Sequence, residues 1–159
     1  MNLIITFLAC TFFLVIVLPK IVTADHAPPW NFHGVNVISC HDGDTCRVNL
    51  PGHHALFGNK VAVRLVGIQA PERDGRAKCD LERKLADKAR DWLVGRIRAA
   101  QRVDLAGVTG RDSFGRLLGK LVADGVDLGG EMLRLGLAVA WVPGDMKVAW
   151  CGDTNNKQT

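Results

Sequence analysis

Along the chain, apolar positions first recur at alternate residues and later at helical spacing. Val35 to Cys40 and Thr45 to Leu50 are short β-prone runs on either side of a Gly-containing turn, and Lys60 to Ile68 is a third run rich in Val, Leu and Ile. Together they predict a three-strand meander. From Asp80 to Ile97 the period changes: Leu81, Leu85, Ala89, Trp92 and Leu93 share one helical face, while Glu82, Lys84, Asp87, Arg90 and Asp91 fall largely elsewhere. An amphipathic helix covering a sheet is expected there. Arg102 to Leu105 and Leu117 to Ala123 read as two more strands, and the turn Ala123-Asp124-Gly125 leads to a short second helix near Leu128 to Leu135. No repeat, low-complexity tract or linker interrupts this order, so residues 35–151 are expected to form one domain. The order alone leaves several α+β folds open.

The N-terminus has a different character. Leu3 to Pro19 carries no charge, and Val22-Thr23-Ala24 before Asp25 has the small-residue spacing of a signal-peptidase site. Residues 1–24 read as a secretory signal peptide, implying a secreted or periplasmic protein with no stable membrane association after cleavage. Lys20, the first basic side chain, follows the apolar run. An uncleaved anchor, with the domain outside the cytoplasm, is therefore the alternative, although the run is slightly short of the ~20 apolar residues that span a bilayer. Residues 25–34, beginning Asp25-His26-Ala27-Pro28-Pro29, form an extended lead-in, and residues 152–159 a polar tail. Lys20 is the sole charged side chain in residues 1–24, so loss of that segment lowers the net charge from +4 to +3. This modest excess admits a polyanionic partner and equally fits an ordinary soluble surface.

Of the five cysteines, Cys10 lies in the apolar run, leaving Cys40, Cys46, Cys79 and Cys151. An even count behind an export signal suggests two disulfides, with three pairings open. Cys40 and Cys46 flank the acidic turn and would face each other across a hairpin, which leaves Cys79 for Cys151. A zinc site is the alternative, but no CxxC spacing supports it.

The residues with chemical potential form a short series. Asp42-Gly43-Asp44-Thr45 sets two carboxylates about a glycine that permits a tight bend, and a carboxylate held on a hairpin suits a hard cation. Asp-Gly is also a common hairpin turn with no chemistry attached. Arg64 shares its strand face with Ala62 and Val66, so its guanidinium must reach past the sheet rim or meet a buried anion. A planar guanidinium grips phosphate at two points, which an ammonium cannot do. Glu72 follows Pro71, whose fixed φ holds the carboxylate at the start of a loop. Its plain alternative is a surface glutamate paired with Arg73 or Arg76. Arg73, Arg76 and Lys78 make a basic cluster, either a solvated loop or a patch that steers a nucleic-acid backbone. His41, His53 and His54 show neither triad nor metal spacing.

Together with Asp112-Ser113-Phe114-Gly115-Arg116, these segments resemble the staphylococcal nuclease-like (thermonuclease) family from about Val35 to Ala138. The resemblance implies a five-stranded OB-fold barrel, α+β to mainly β, with a covering helix after the third strand and a short second helix. It implies an exported, Ca-dependent endonuclease that hydrolyses phosphodiester bonds of DNA and/or RNA and typically leaves 3′-phosphate ends; a monomer is expected. In this reading Asp44 is a metal ligand, Arg64 and Arg116 are phosphate-binding catalytic arginines, and Glu72 is the base proposed to activate water. The carbonyl of Ala70 is a further metal ligand, and Phe114 and Trp141 contact the substrate.

The chain departs from the family pattern at Gln69, which stands where a second carboxylate ligand is expected. Calcium affinity depends on ligand charge, so the resemblance here implies a weakened Ca²⁺ site or another divalent ion. Tyrosine is absent, so base contacts fall to Trp141 or Phe114, and the family's long C-terminal helix gives way to a short ending at Trp150-Cys151. The rival class is a catalytically silent OB-fold module that binds nucleic acid or protein. Arg64, Glu72 and Arg116 favour the enzyme, and Gln69 favours the silent module.

Overall fold

A computed structural model describes residues 29–146 and 148–151. The predicted signal peptide, the start of the lead-in and the polar tail lie outside the described residues. In chain order the elements are β1 (Trp30–Phe32), β2 (Asn36–Cys40), β3 (Thr45–Asn49), α1 (Ala55–Gly58), β4 (Val61–Leu65), β5 (Ile68–Gln69), α2 (Asp80–Ala99), β6 (Val103–Arg111), β7 (Leu117–Ala123), β8 (Val126–Asp127), α3 (Leu128–Arg134) and β9 (Val139–Ala140).

Seven strands form one mixed sheet in the order β1-β6-β7-β4-β3-β2, with β8 attached to β7, while β5 and β9 pair separately. All neighbours are antiparallel except β4 and β7, whose parallel pairing sets Arg64 opposite Leu118. This pair joins the first meander to the second half of the chain. The sheet is consistent with an OB-like α+β fold, but its ladder is open between β1 and β2. A main-chain bond from Val35 N–H to Val103 O (2.8 Å) draws the β2 end toward β6 without a ladder.

Among the described residues there are nine strands, of which five correspond to the expected runs with altered bounds, and the differences have local causes. The third expected strand stops at Leu65 because Gly67 turns the chain in the left-handed region (φ +78), after which Ile68–Gln69 pairs with β9. The fourth runs on to Arg111, past a register shift between Ala106 and Gly110. β1 lies in what the sequence suggested was a lead-in, and it pairs antiparallel with β6.

Alternation fills the core. Cys46 and Val48 of β3, with Val61, Val63 and Leu65 of β4, all point inward. Leu105 and Leu121 meet them from β6 and β7, and Leu93, Leu128 and Met132 close the core from the helices. The buried face of α2 is Glu82, Ala86, Ala89 and Leu93, whereas Leu81 is 53% exposed. The helix is thus rotated from the face that its leucines predicted, and small alanines face inward. This brings α2 against the acidic turn. A Cβ on Gly43 would lie 2.8 Å from Ala70 Cβ, 3.0 Å from Ala89 Cβ and 3.0 Å from the Met132 methyl. Gly43 is therefore needed for close approach to α2 and α3; its φ is not in the left-handed region.

Both expected disulfides are present. Cys40–Cys46 bridges the last paired position of the β2–β3 hairpin, and Cys79–Cys151 ties the last described residue to the N-cap of α2. The second closes a loop across 72 positions; cross-links of this kind typically stabilise by roughly 2–4 kcal/mol, more for longer loops.

Candidate active site

The hairpin turn, the β4–β5 corner, the loop after β5 and the β6–β7 turn converge on one cleft of about 610 Å³. Its lining includes Asp44, Arg64, Gln69, Glu72, Phe114, Arg116 and Trp141, so seven of the eight candidate catalytic, metal-binding and substrate-contacting residues border one cleft. The eighth, Ala70, is buried behind it and donates its N–H to Asp44 Oδ2 (2.8 Å).

Asp44 is the hub. Its Oδ1 accepts the Thr45 hydroxyl (3.0 Å), and its Oδ2 faces Arg64 Nη1 at 3.3 Å. Arg64 has found the buried anion that its place on a sheet face required. Its guanidinium also donates to the carbonyls of Leu65 (2.7 Å) and Ile68 (2.9 Å). Of five N–H donors, two are thus bonded to carbonyls and a third faces Asp44, leaving two for a ligand. Arg116 donates through Nε to Asp112 Oδ2 (2.7 Å) and through Nη1 to Thr45 Oγ1 (3.3 Å). A polar chain therefore runs Arg116–Thr45–Asp44–Arg64. Thr45 was part of the acidic motif, yet its bridging role emerged only once β3 set it opposite Arg64.

Burial pushes the Asp44 carboxyl up to about 6; Arg64 pulls it down, Asp42 pushes it up, and the Ala70 N–H and Thr45 hydroxyl lower it. Desolvation raises the Asp112 carboxyl, but the hydrogen bonds and charge of Arg116 outweigh it and hold the group below its ordinary value. Arg116 is thereby fixed by a carboxylate that stays ionised.

Glu72 reaches Arg76 Nε at 3.3 Å, the partner anticipated for a plain loop glutamate, and it still lines the cleft. Arg76 also touches Asp42 Oδ2 (3.4 Å), whose Oδ1 accepts the Asp44 N–H (3.2 Å). Glu72 and Asp44 are therefore linked through Arg76 and Asp42. Behind them lies Glu82, 4% exposed, which the sequence did not single out. Its carboxylate accepts the Glu72 N–H (3.2 Å) and the Lys78 N–H (2.8 Å), clasping both ends of the loop. The signal for it was a buried capping pattern, Cys79-Asp80-Leu81-Glu82, with cysteine in place of the usual serine.

Aromatic rings flank the cleft. Phe114 is 82% exposed with Arg116 5.3 Å from its ring centre, and Arg64 lies 5.7 Å from that of Trp141. Of the histidines, His41 is exposed and lies 3.9 Å from Asp74, while His54 caps α1.

Among the described residues, no group of three His, Cys, Asp or Glu side chains is disposed to hold a metal. The oxygen donors nevertheless suit a hard cation of low ligand charge: Asp44 and Asp42 repel each other in a buried setting, and a cation would relieve that repulsion. Gln69 also lines the cleft, while its Oε1 accepts the N–H of Val148 at 3.3 Å, a residue outside that lining.

A comparison with curated proteins finds no match. A family model described as staphylococcal nuclease homologue matches residues 62–148, which include Arg64, Gln69, Glu72, Phe114, Arg116 and Trp141 and begin after the acidic turn. With more than half of the chain matched and these side chains drawn to one cleft, the chain belongs to the staphylococcal nuclease homologue family.

Proposed function

We propose that this protein is an exported, divalent-cation-dependent phosphodiesterase that cuts single-stranded or frayed DNA and RNA internally. The observation that carries the reading is the polar chain Arg116–Thr45–Asp44–Arg64: two guanidinium groups, each with donors to spare, flank one carboxylate in a common cleft. That is the arrangement a phosphoryl group with developing negative charge requires.

Asp44 would hold the cation with help from Gln69 and the main chain at Ala70, and Ca²⁺ is the ion expected. When bound, such an ion polarises a phosphoryl oxygen. Arg64 and Arg116 grip the non-bridging oxygens with the donors their own anchors leave over. Glu72 accepts the proton of a water whose oxygen bonds to phosphorus. The P–O5′ bond breaks, the leaving oxygen takes a proton from solvent, and a 3′-phosphate remains. Arg76 and Glu82 hold Glu72 in place.

Export is supported by the two disulfides, which persist in oxidising compartments. Among the described residues, no helix is long and apolar enough to cross a membrane. The rival reading, a silent binding module, is favoured by Gln69, whose oxygen carries no charge and is already bonded to Val148. Digestion of denatured DNA by purified protein in Ca²⁺, Mg²⁺ or EDTA separates them. Cleavage that requires a divalent ion supports the enzyme, and binding without cleavage in any ion supports the silent module.

A further inference from the structure

A second groove of about 660 Å³ opens beside the cleft and shares Asp42, Thr45, Arg76, Phe114 and Arg116 with it, so the two are continuous. It runs from the cleft along the β2–β3 hairpin toward α2. Its lining adds Arg47, Arg73 and Arg90, giving five guanidinium groups against the single carboxylate of Asp42.

Two of the added arginines are held by the hairpin's main chain. Arg73 donates to the carbonyl of His41 (2.8 Å), and Arg90 to that of Cys40 (3.0 Å). Their acidic partners, Asp87 and Asp91, are 51% and 71% exposed, so solvent screens these pairs and they offset little of the positive field. Arg47 donates to the carbonyl of Lys60, and among the described residues it has no carboxylate partner. Ordered guanidinium groups in a shallow groove suit the planar, bidentate geometry of phosphate.

Phe114 stands where the two cavities meet, and its ring is mostly in water. An exposed ring at such a junction is a stacking platform for a base, and only a base freed from a duplex can use it.

We propose that this groove is a second phosphate subsite, in which Arg47, Arg73 and Arg90 hold the phosphodiester next to the scissile one on a single-stranded polynucleotide. The inference rests on the phosphodiesterase reading of the cleft. It makes strand length a determinant of efficiency: a dinucleotide fills the cleft alone, and a longer strand fills both.

The test compares kcat/KM for a dinucleotide and for a single-stranded hexanucleotide. The wild-type protein should favour the hexamer by at least about 10-fold, the scale of one charge-assisted contact. Arg47→Gln should reduce hexamer kcat/KM by roughly 3–10-fold and leave the dinucleotide unchanged. Its log–log salt slope for hexamer binding should fall by about 0.7. Arg47 is exposed and its hydrogen-bond partner, the Lys60 carbonyl, is on the surface, so this variant should fold, with circular dichroism as the check. Arg90→Gln provides a second probe. Equal losses on both substrates, or no loss on either, would overturn the subsite while leaving the phosphodiesterase reading intact. If the wild-type protein cleaves neither substrate, that reading fails, and fluorescence anisotropy takes over. Tighter hexamer binding that Arg47→Gln abolishes sustains the subsite, and indistinguishable binding of the two oligomers refutes it.

Discussion

Gly43→Ala is a direct probe of how the acidic turn is held. The new Cβ would meet Ala70 Cβ at 2.8 Å, Ala89 Cβ at 3.0 Å and the Met132 methyl at 3.0 Å. The first two atoms are fixed to backbone, so the turn must move away from the segment just after β5 and from α2; only the methionine can yield by a rotamer change. Overpacking of this kind costs about 1–3 kcal/mol. For a domain of this size that corresponds to a Tm lower by roughly 4–12 °C. Because Asp44 and Ala70 lie on the two sides of the contact, the same movement should stretch their hydrogen bond and lower activity as well. Gly95→Ala is the control: it lies within α2, before the last turn's end at Ala99, and its Cβ would meet nothing within 4 Å, so it should stabilise by about 0.5–1 kcal/mol. Urea unfolding of both variants measures the difference. A Gly43→Ala protein within ~0.5 kcal/mol of wild type would refute this account of the turn's packing.

Three further outcomes follow from the site. Arg116→Lys keeps the charge but loses the fork that reaches both Asp112 and Thr45, so turnover should fall at least ~10²-fold while the fold stays intact by circular dichroism; full activity in the folded variant would remove Arg116 from the mechanism. Gln69→Asp should tighten Ca²⁺ binding by calorimetry, even though the shorter side chain gives up the Val148 bond, and equal or weaker binding would show that Gln69 and Asp44 do not share an ion. The third outcome concerns pH. Asp44 titrates near 6 in the fold against an ordinary 3.8, so its contribution to folding is full below about 3.8 and is lost as pH rises to about 6. A cation must displace that proton, so apparent affinity should fall about tenfold per pH unit below ~6 and level off above it. An affinity that stays constant from about pH 5 to 7 would contradict the coupling.

The parts of this fold that repeat over several residues were legible in the sequence. β3, β4 and β7 alternate, α2 is long, and the cysteines flank a turn, so their types followed from local pattern. β1, β5, β8 and β9 span only two or three residues and exist through pairing with distant partners, which no window could reveal. The rotation of α2 was hidden for a related reason: its exposed Leu81 advertised the wrong face, and the buried Glu82 is tolerable only because loop N–H groups satisfy it. At the site, the resemblance to the nuclease-like family nominated Arg64, Glu72 and Arg116, whereas residue type alone left Glu72 open as a plain loop glutamate. The bridging of Thr45, the double engagement of Arg76 and the packing role of Gly43 depend on contacts across dozens of positions. Gly43 is instructive, because a glycine between aspartates suggested a tight bend, while the structure uses its missing side chain.

Hydrolysis of a phosphodiester in this cleft by Glu72 and the two arginines, with the help of a divalent ion, is the activity we propose. Its most direct test is cleavage of a 5′-labelled single-stranded oligonucleotide in Ca²⁺ by wild-type protein and by Glu72→Gln, with the new ends identified. Wild type should cut internally and leave 3′-phosphates, and the folded variant should be at least ~10²-fold slower. No cleavage by wild type, or equal rates for the two proteins, would contradict the account.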